Sequence, residues 1–247
     1  MNLRTPLLGA ALFAASCLSF AADHAHWTYE GHTGPEHWGE LDPSFKTCNT
    51  GREQSPINIM ASEKSATLKS IIFGYEASIG EVINNGHTIQ INLANGGTIK
   101  LGGNEYALLQ FHFHTPSEEQ IDGRHFPLVA HLVHKDSDGH LAVVAVLFEL
   151  GQENAALKDI FAALPTDAGT AKPLSTFNTA DLLPSDRSYY AFKGSLTTPP
   201  CNENVRWQVL KQPLTISAAQ FAAFKAIYPL NARPVQPLNG RKVMSSS

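Results

Sequence analysis

Three histidines carry the chemistry that this sequence offers. In Gln110-Phe111-His112-Phe113-His114 two imidazoles stand two residues apart, and on an extended strand they share one face. A third, His131, follows beyond Asp122-Gly123, a strong hairpin-turn signal. A two-residue turn there places His131 opposite His114, with His112 one pair further along, so all three rings converge. Three imidazoles without a fourth protein ligand leave one coordination position open, which is how a catalytic zinc is held. A lone His-x-His on a strand is more often a polar pair with no metal; the third histidine at matching parity lifts this one above that. Glu118 shares the parity of His114 in the same register. A carboxylate so placed serves either as a fourth ligand or as a base behind the ligands.

The elements that must position these residues are mostly strands. Short alternating runs between Ile71 and Leu101, broken by Gly and Asn, predict consecutive strands and hairpins: Val82-Ile83, Ile89 to Leu93 and Thr98 to Leu101. Leu141 to Leu150 is almost continuously apolar and rich in valine, which predicts a central strand buried on both faces. Two helices are expected. One runs from Asn154 to Leu164, stopped by Pro165; the other opens at the capping box Ser217-Ala-Ala-Gln220 and stops before Pro229. Ser245-Ser246-Ser247 reads as a frayed end. His134 lies on the face opposite His131, as a core histidine with satisfied nitrogens, and His125 reads as structural or exposed. With no shift of composition along the chain, the fold class is mainly β (α+β): one domain around a large central, mostly antiparallel twisted sheet with a few short peripheral helices.

Of 247 residues, 43% are apolar, enough for a substantial core. Residues 1–21 have the form of a secretory signal peptide, with Arg4 as the positive region, an apolar stretch from Pro6 to Phe20, and Ser19-Phe20-Ala21 at the cleavage site. The apolar run is too short for stable membrane insertion. Lipidation at Cys17 is disfavoured because Ala14 is a poor lipobox start. The mature chain would be 22–247, exported to the periplasm or secreted. Cleavage removes Arg4 and no acid, moving the net charge from −4 to −5. No basic stripe with interleaved aromatics is present, so nucleic acid is not an expected partner. Cleavage also removes Cys17, and Cys48 and Cys201 are then expected to form one disulfide, bracing the loop Thr197-Thr198-Pro199-Pro200.

Several motifs in one order resemble the α-class carbonic anhydrases, in particular the bacterial periplasmic branch. They are His26-Trp27-Thr28-Tyr29, Gly34-Pro35-Glu36-His37-Trp38, Gln54-Ser55-Pro56-Ile57-Asn58-Ile59, Asn84-Asn85-Gly86-His87, Gln110 to His114, Ala130 to His134, Gly194-Ser195-Leu196-Thr197-Thr198-Pro199-Pro200, and Asn231 to Leu238. The resemblance spans nearly the whole mature chain. It implies a Zn²⁺ on His112, His114 and His131, and reversible hydration of CO₂ to bicarbonate and a proton by attack of zinc-bound hydroxide. It implies that Thr197 accepts from that hydroxide and donates to Glu118, and that His87 shuttles the proton to solvent. It places Val133, Val143, Leu196, Thr197, Thr198 and Trp207 around the substrate. It gives the outer ring nitrogens of His112 and His114 to Gln110 and to the Asn231 carbonyl.

Two positions depart from the family pattern. A glutamate that normally stands two residues before the third ligand, bonding its outer nitrogen, is here Val129; Glu119 replaces the usual histidine or asparagine after Glu118. Valine accepts no hydrogen bond. The third ligand is therefore expected to hold zinc less tightly than in a relative, unless a water or Glu119 substitutes. Two rival readings are a dedicated zinc esterase, of which weak ester hydrolysis would be the side-reaction form, and a non-catalytic binding module, which the intact histidines argue against. The sequence leaves a homodimer open.

Overall fold

The computed structural model describes residues 25–246; the signal segment expected at 1–21 lies outside them. Fifteen strands follow in chain order. They are β1 Asn58–Ile59, β2 Glu63–Lys64, β3 Ile72–Tyr75, β4 Ala77–Asn84, β5 Ile89–Leu93, β6 Gly97–Leu101, β7 Asn104–His114, β8 Gln120–Ile121, β9 Leu128–Lys135, β10 Leu141–Leu150, β11 Ala171–Asn178, β12 Tyr189–Ser195, β13 Glu203–Leu210, β14 Leu214–Ile216 and β15 Met244–Ser245. The α-helices are short: α1 Trp38–Leu41, α2 Thr47–Thr50, α3 Lys158–Ala162 and α4 Ala218–Ile227. Thirteen strands form one sheet in the order β11-β4-β5-β7-β9-β10-β13-β12-β15-β2, with β3, β6 and β14 attached off this path. Most pairings are antiparallel; β10–β13, β10–β14 and β15–β2 are parallel.

The apolar run 141–150 sits at the middle of this sheet as β10. Its even residues Ala142, Val144, Val146 and Phe148 belong to the large core on one face. Its odd residues Val143, Ala145 and Leu147 belong to a smaller cluster on the other. Covering both faces is what a continuous hydrophobic strand requires, and each fully buried Val contributes roughly 1.5–3 kcal/mol. A third cluster packs Trp38 and Phe45 against the Cys48–Cys201 disulfide.

Helix α4 begins as expected. Ser217 Oγ accepts from Gln220 N–H, and Gln220 Oε1 accepts from Ser217 N–H, a reciprocal cap whose loss costs about 1 kcal/mol. Two expectations are corrected. The helix predicted over 154–164 contracts to Lys158–Ala162. Asn154 is instead bound into the start of α4, through its N–H to Gln220 Oε1, its carbonyl from Gln220 Nε2 and its side chain to Thr215 O. Ser245 and Ser246 are not frayed, and Ser247 lies outside the described residues. Ser245 pairs in β15, and Ser246 is buried, donating to Tyr189 O and accepting from Tyr189 N–H and Lys211 Nζ.

Candidate metal centre

The three histidines come together, but in a register different from the simple hairpin. In β7–β9 His112 faces His131, Phe113 faces Ala130 and His114 faces Val129. Asp122-Gly123 does turn, with φ of 51° and 76°. It closes only a side loop, bridging Ile121 to Arg124, while residues 115–127 connect the two strands. The shift by two residues preserves parity, so the three rings still share a face. A β-bulge at Leu109, between the pairs Leu108↔His134 and Gln110↔Val133, sets which face. Before it Tyr106 and Leu108 point to the large core; after it Phe111 and Phe113 do, and His112 and His114 turn the other way.

Each ring is held through one nitrogen and offers the other. His112 Nδ1 meets Gln110 Oε1 at 2.8 Å, His114 Nδ1 meets the Asn231 carbonyl at 2.7 Å, and His131 Nε2 meets Glu119 Oε2 at 3.1 Å. These acceptors take N–H donors, which directs His112 Nε2, His114 Nε2 and His131 Nδ1 inward. The three ligand atoms lie within 4.8 Å of one another, and buried His114 Nε2 has no hydrogen-bond partner. Three convergent lone pairs, one on an orphaned buried nitrogen, fit a tetrahedral N₃ metal site with one position left over.

The electrostatics suit neutral imidazole ligands on the strand β7. Burial, aided by His131, holds His112 down to about 3 and His114 well below the ordinary imidazole value. His131 goes the other way: burial lowers it, but the Glu119 and Glu118 carboxylates outweigh burial and raise it. Glu118 is fully buried, its Oε1 accepting the Arg233 backbone N–H at 2.8 Å and its Oε2 lying 3.5 Å from His114 Nε2 and 3.7 Å from His131 Nδ1. Burial pushes its pKa up to about 7, against the pull of His131, of the Thr197 hydroxyl and of the Arg233 N–H.

Around this centre the expected apolar residues collect. Val133, Val143 and Trp207 are buried in one cluster with Leu196 packed against it, Val143 facing Trp207 across β10–β13. The His131 and Trp207 ring centroids lie 4.9 Å apart. A cleft of about 120 Å³ opens beside them, lined by His112, His114, Thr198, Gln110, His87, Thr88, Gln90, Asn85, Tyr29 and Trp27. Several of these had no role assigned from sequence. Tyr29 places a buried hydroxyl there without a partner; Trp27 stacks on His87; Arg233, within the Asn231-Ala232-Arg233-Pro234 motif, reaches Glu118 only through its backbone. Of the other histidines, His134 is buried between Tyr75 Oη and the Ala142 carbonyl, His125 Nδ1 bonds Ser117 O, and His140 is bound to Asp136 in a turn.

The loop bearing Thr197 and Thr198 is braced as anticipated. Cys48 is bonded to Cys201, and Cys201 N–H returns to Thr198 O at 2.9 Å. Buried Arg233 ties this region to the centre, donating to Cys48 O, Ser55 O and Gln54 Oε1 while its own N–H holds Glu118.

A buried three-histidine cluster with converging ring nitrogens, beside an apolar cluster on one large sheet, is the arrangement of a candidate metal centre in an enzyme. The eukaryotic-type carbonic anhydrase family profile matches residues 33–247. A carbonic anhydrase of Klebsiella pneumoniae is 48% identical, covering 98% of this chain and 100% of its own length. Among solved structures, the α-carbonic anhydrase of Photobacterium profundum superimposes with a TM-score of 0.84 at 47% identity, covering 89% of this chain and 100% of its own. That of Thermovibrio ammonificans, in complex with the inhibitor sulfanilamide, gives 0.87 at 43%, covering 89% and 99%. The chain belongs to the α-carbonic anhydrase family of enzymes.

Proposed function

We propose that this enzyme reversibly hydrates CO₂ at one zinc ion held by His112, His114 and His131. The observation that carries the proposal is the arrangement of the rings: three outer nitrogens each given to an acceptor, three inner nitrogens converging. Zinc there would supply a Lewis acid that makes water acidic enough to ionise near neutral pH, carbonic anhydrase being itself the standard example of that chemistry.

The chain's own groups do the rest. Glu118, when ionised, can only accept, so the Thr197 hydroxyl must donate to it and accept from the reacting water on its other side. That fixes the direction in which the nucleophile's free lone pair points. Val133, Val143, Leu196 and Trp207 offer CO₂ an apolar wall, and Thr198 lines the polar side of the cleft. His87, at the cleft's rim, takes up the proton and passes it to solvent, as an imidazole can. The disulfide and the signal-like residues 1–21 support export to the periplasm or beyond, and among the described residues no helix is long and apolar enough to cross a membrane.

The test is metal content by mass spectrometry together with stopped-flow CO₂ hydration, with and without a chelator. One zinc per chain and chelator-sensitive hydration are expected, with His114→Ala losing both. Wild-type protein that hydrates CO₂ without metal, or takes up no zinc, overturns the proposal. Sulfanilamide, which the Thermovibrio ammonificans relative binds, should inhibit the zinc-loaded protein.

A further inference from the structure

We infer that Glu119 is the positioning residue of the third metal ligand, the carboxylate having moved from the strand to the loop; this rests on the zinc reading above. His131 Nε2–H donates to Glu119 Oε2 at 3.1 Å, and both side chains are buried. Of the three outer acceptors, Glu119 alone is a carboxyl group; the others are an amide side chain and a backbone carbonyl. No acceptor comes from the strand, since Val129 is fully buried in an apolar cluster with Ile57, Ile59 and Phe126.

The loop is built to present this carboxylate. Ser117 Oγ donates to Glu119 O at 2.7 Å and accepts from Phe126 N–H, while Ser117 N–H donates to Phe126 O. Gln120 and Asp122 N–H groups bond Ile57 O and Ile59 O in the short parallel pair β1–β8. The segment Ile57 to Ile59 thus holds Glu119 from below. Glu119 Oε1 is buried without a hydrogen-bond partner, and Oε2 meets the imidazole of His131. A buried carboxylate is costly unless a cation balances it. A divalent cation on His131 Nδ1 would do so, with Glu118 and Glu119 together matching its two charges. Through the ring, the carboxylate orients His131 and raises its basicity toward the metal.

The test is the rate at which zinc-loaded protein surrenders zinc to a chelator, with the visible spectrum of the cobalt-substituted protein as a second readout. Glu119→Gln should release zinc about 10–100-fold faster and alter the cobalt bands. The relocation variant Glu119→Gln/Val129→Glu should recover slow release, because it returns a carboxylate to the ring from the strand. Glu119→Gln that stays folded, with wild-type release and an unchanged cobalt spectrum, overturns the inference. Should Glu119→Gln not fold, the relocation variant decides: folded with slow release supports the inference, folded with fast release overturns it. Wild-type protein that binds neither metal would instead overturn the zinc reading itself.

Discussion

The imidazole of His87 lies flat against the indole of Trp27, ring centroids 3.7 Å apart and planes 7° from parallel. The stack holds the half-buried imidazole at the rim of the cleft that His112 and His114 line. Burial, with a contribution from His26, lowers the His87 pKa below the ordinary imidazole value. Lowering the pKa of a base means it stays free to accept protons to lower pH. His87→Ala should reduce steady-state hydration at low buffer concentration, with imidazole buffers restoring part of the rate. In the wild type, the His87-dependent part of the rate should rise with pH through a midpoint below 6.5, and His26→Ala should move that midpoint upward. A rate deficit in His87→Ala that no buffer rescues would assign the residue to structure instead.

Thr197 is buried beside Glu118 on the loop that follows β12. In the proposed mechanism its hydroxyl donates to Glu118 and accepts from the reacting water. Thr197→Ala should lower kcat/KM on the order of 10²-fold, while Thr197→Ser, which keeps the hydroxyl, should retain most of it. Zinc content should be unchanged in both. Equal losses in the two variants would show that the methyl group, not the hydroxyl, matters.

The disulfide joins residues 153 apart in sequence. Closing so long a loop limits the unfolded ensemble, worth roughly 5 kcal/mol in the chain-entropy account. Cys48→Ser/Cys201→Ser should lose about that much unfolding free energy in guanidinium. Hydration should fall too, because Cys48 O and Cys201 O accept from Arg233 and Gln54 in the network that reaches Glu118. Unchanged stability after reduction would refute the bracing role.

His134 is a second pH-sensitive element, away from the metal. Its Nδ1–H donates to Ala142 O and its Nε2 accepts from Tyr75 Oη–H, so the neutral ring is satisfied on both sides. Burial lowers its pKa to about 4. The unfolded chain protonates this histidine at an ordinary value near 6.5. Its contribution is therefore fully present above that pH and is lost as pH falls toward 4. The whole window is worth about 3 kcal/mol, and between pH 7.5 and 5 roughly 2 kcal/mol of stability should disappear. His134→Gln should remove that part of the pH dependence. Identical pH slopes in the two proteins would show that His134 does not titrate on unfolding.

Much of this molecule is legible one segment at a time. Parity alone puts His112, His114 and His131 on one face and His134 on the other, because strand periodicity is a local property of the backbone. The apolar run of β10 and the capping box of α4 are local in the same sense. The motifs that mark the family are local too, which is why the candidate metal ligands could be named before any contact was known.

Tertiary structure decided what depends on distant segments. Asp122-Gly123 adopts the expected turn, yet residues 115–127 are held by Ile57 and Ile59, and that moves the pairing so that His112 rather than His114 meets His131. The bulge at Leu109 chooses which face of β7 the ligands occupy. Asn154 finds partners near α4 while its Oδ1 accepts the Leu157 N–H ahead of α3, and Ser245 and Ser246 are held by pairing with β12 and by Tyr189 and Lys211. The acceptor for His114, the Asn231 carbonyl 117 residues away, is named only through the family motifs, since no local pattern points to it. The acceptor for His131 is Glu119, so the site that Val129 left short of a partner is completed from the loop. Periodicity tells a side chain which way to point, but a buried polar group must be matched by whichever segment the fold brings near it, and only the folded chain settles that.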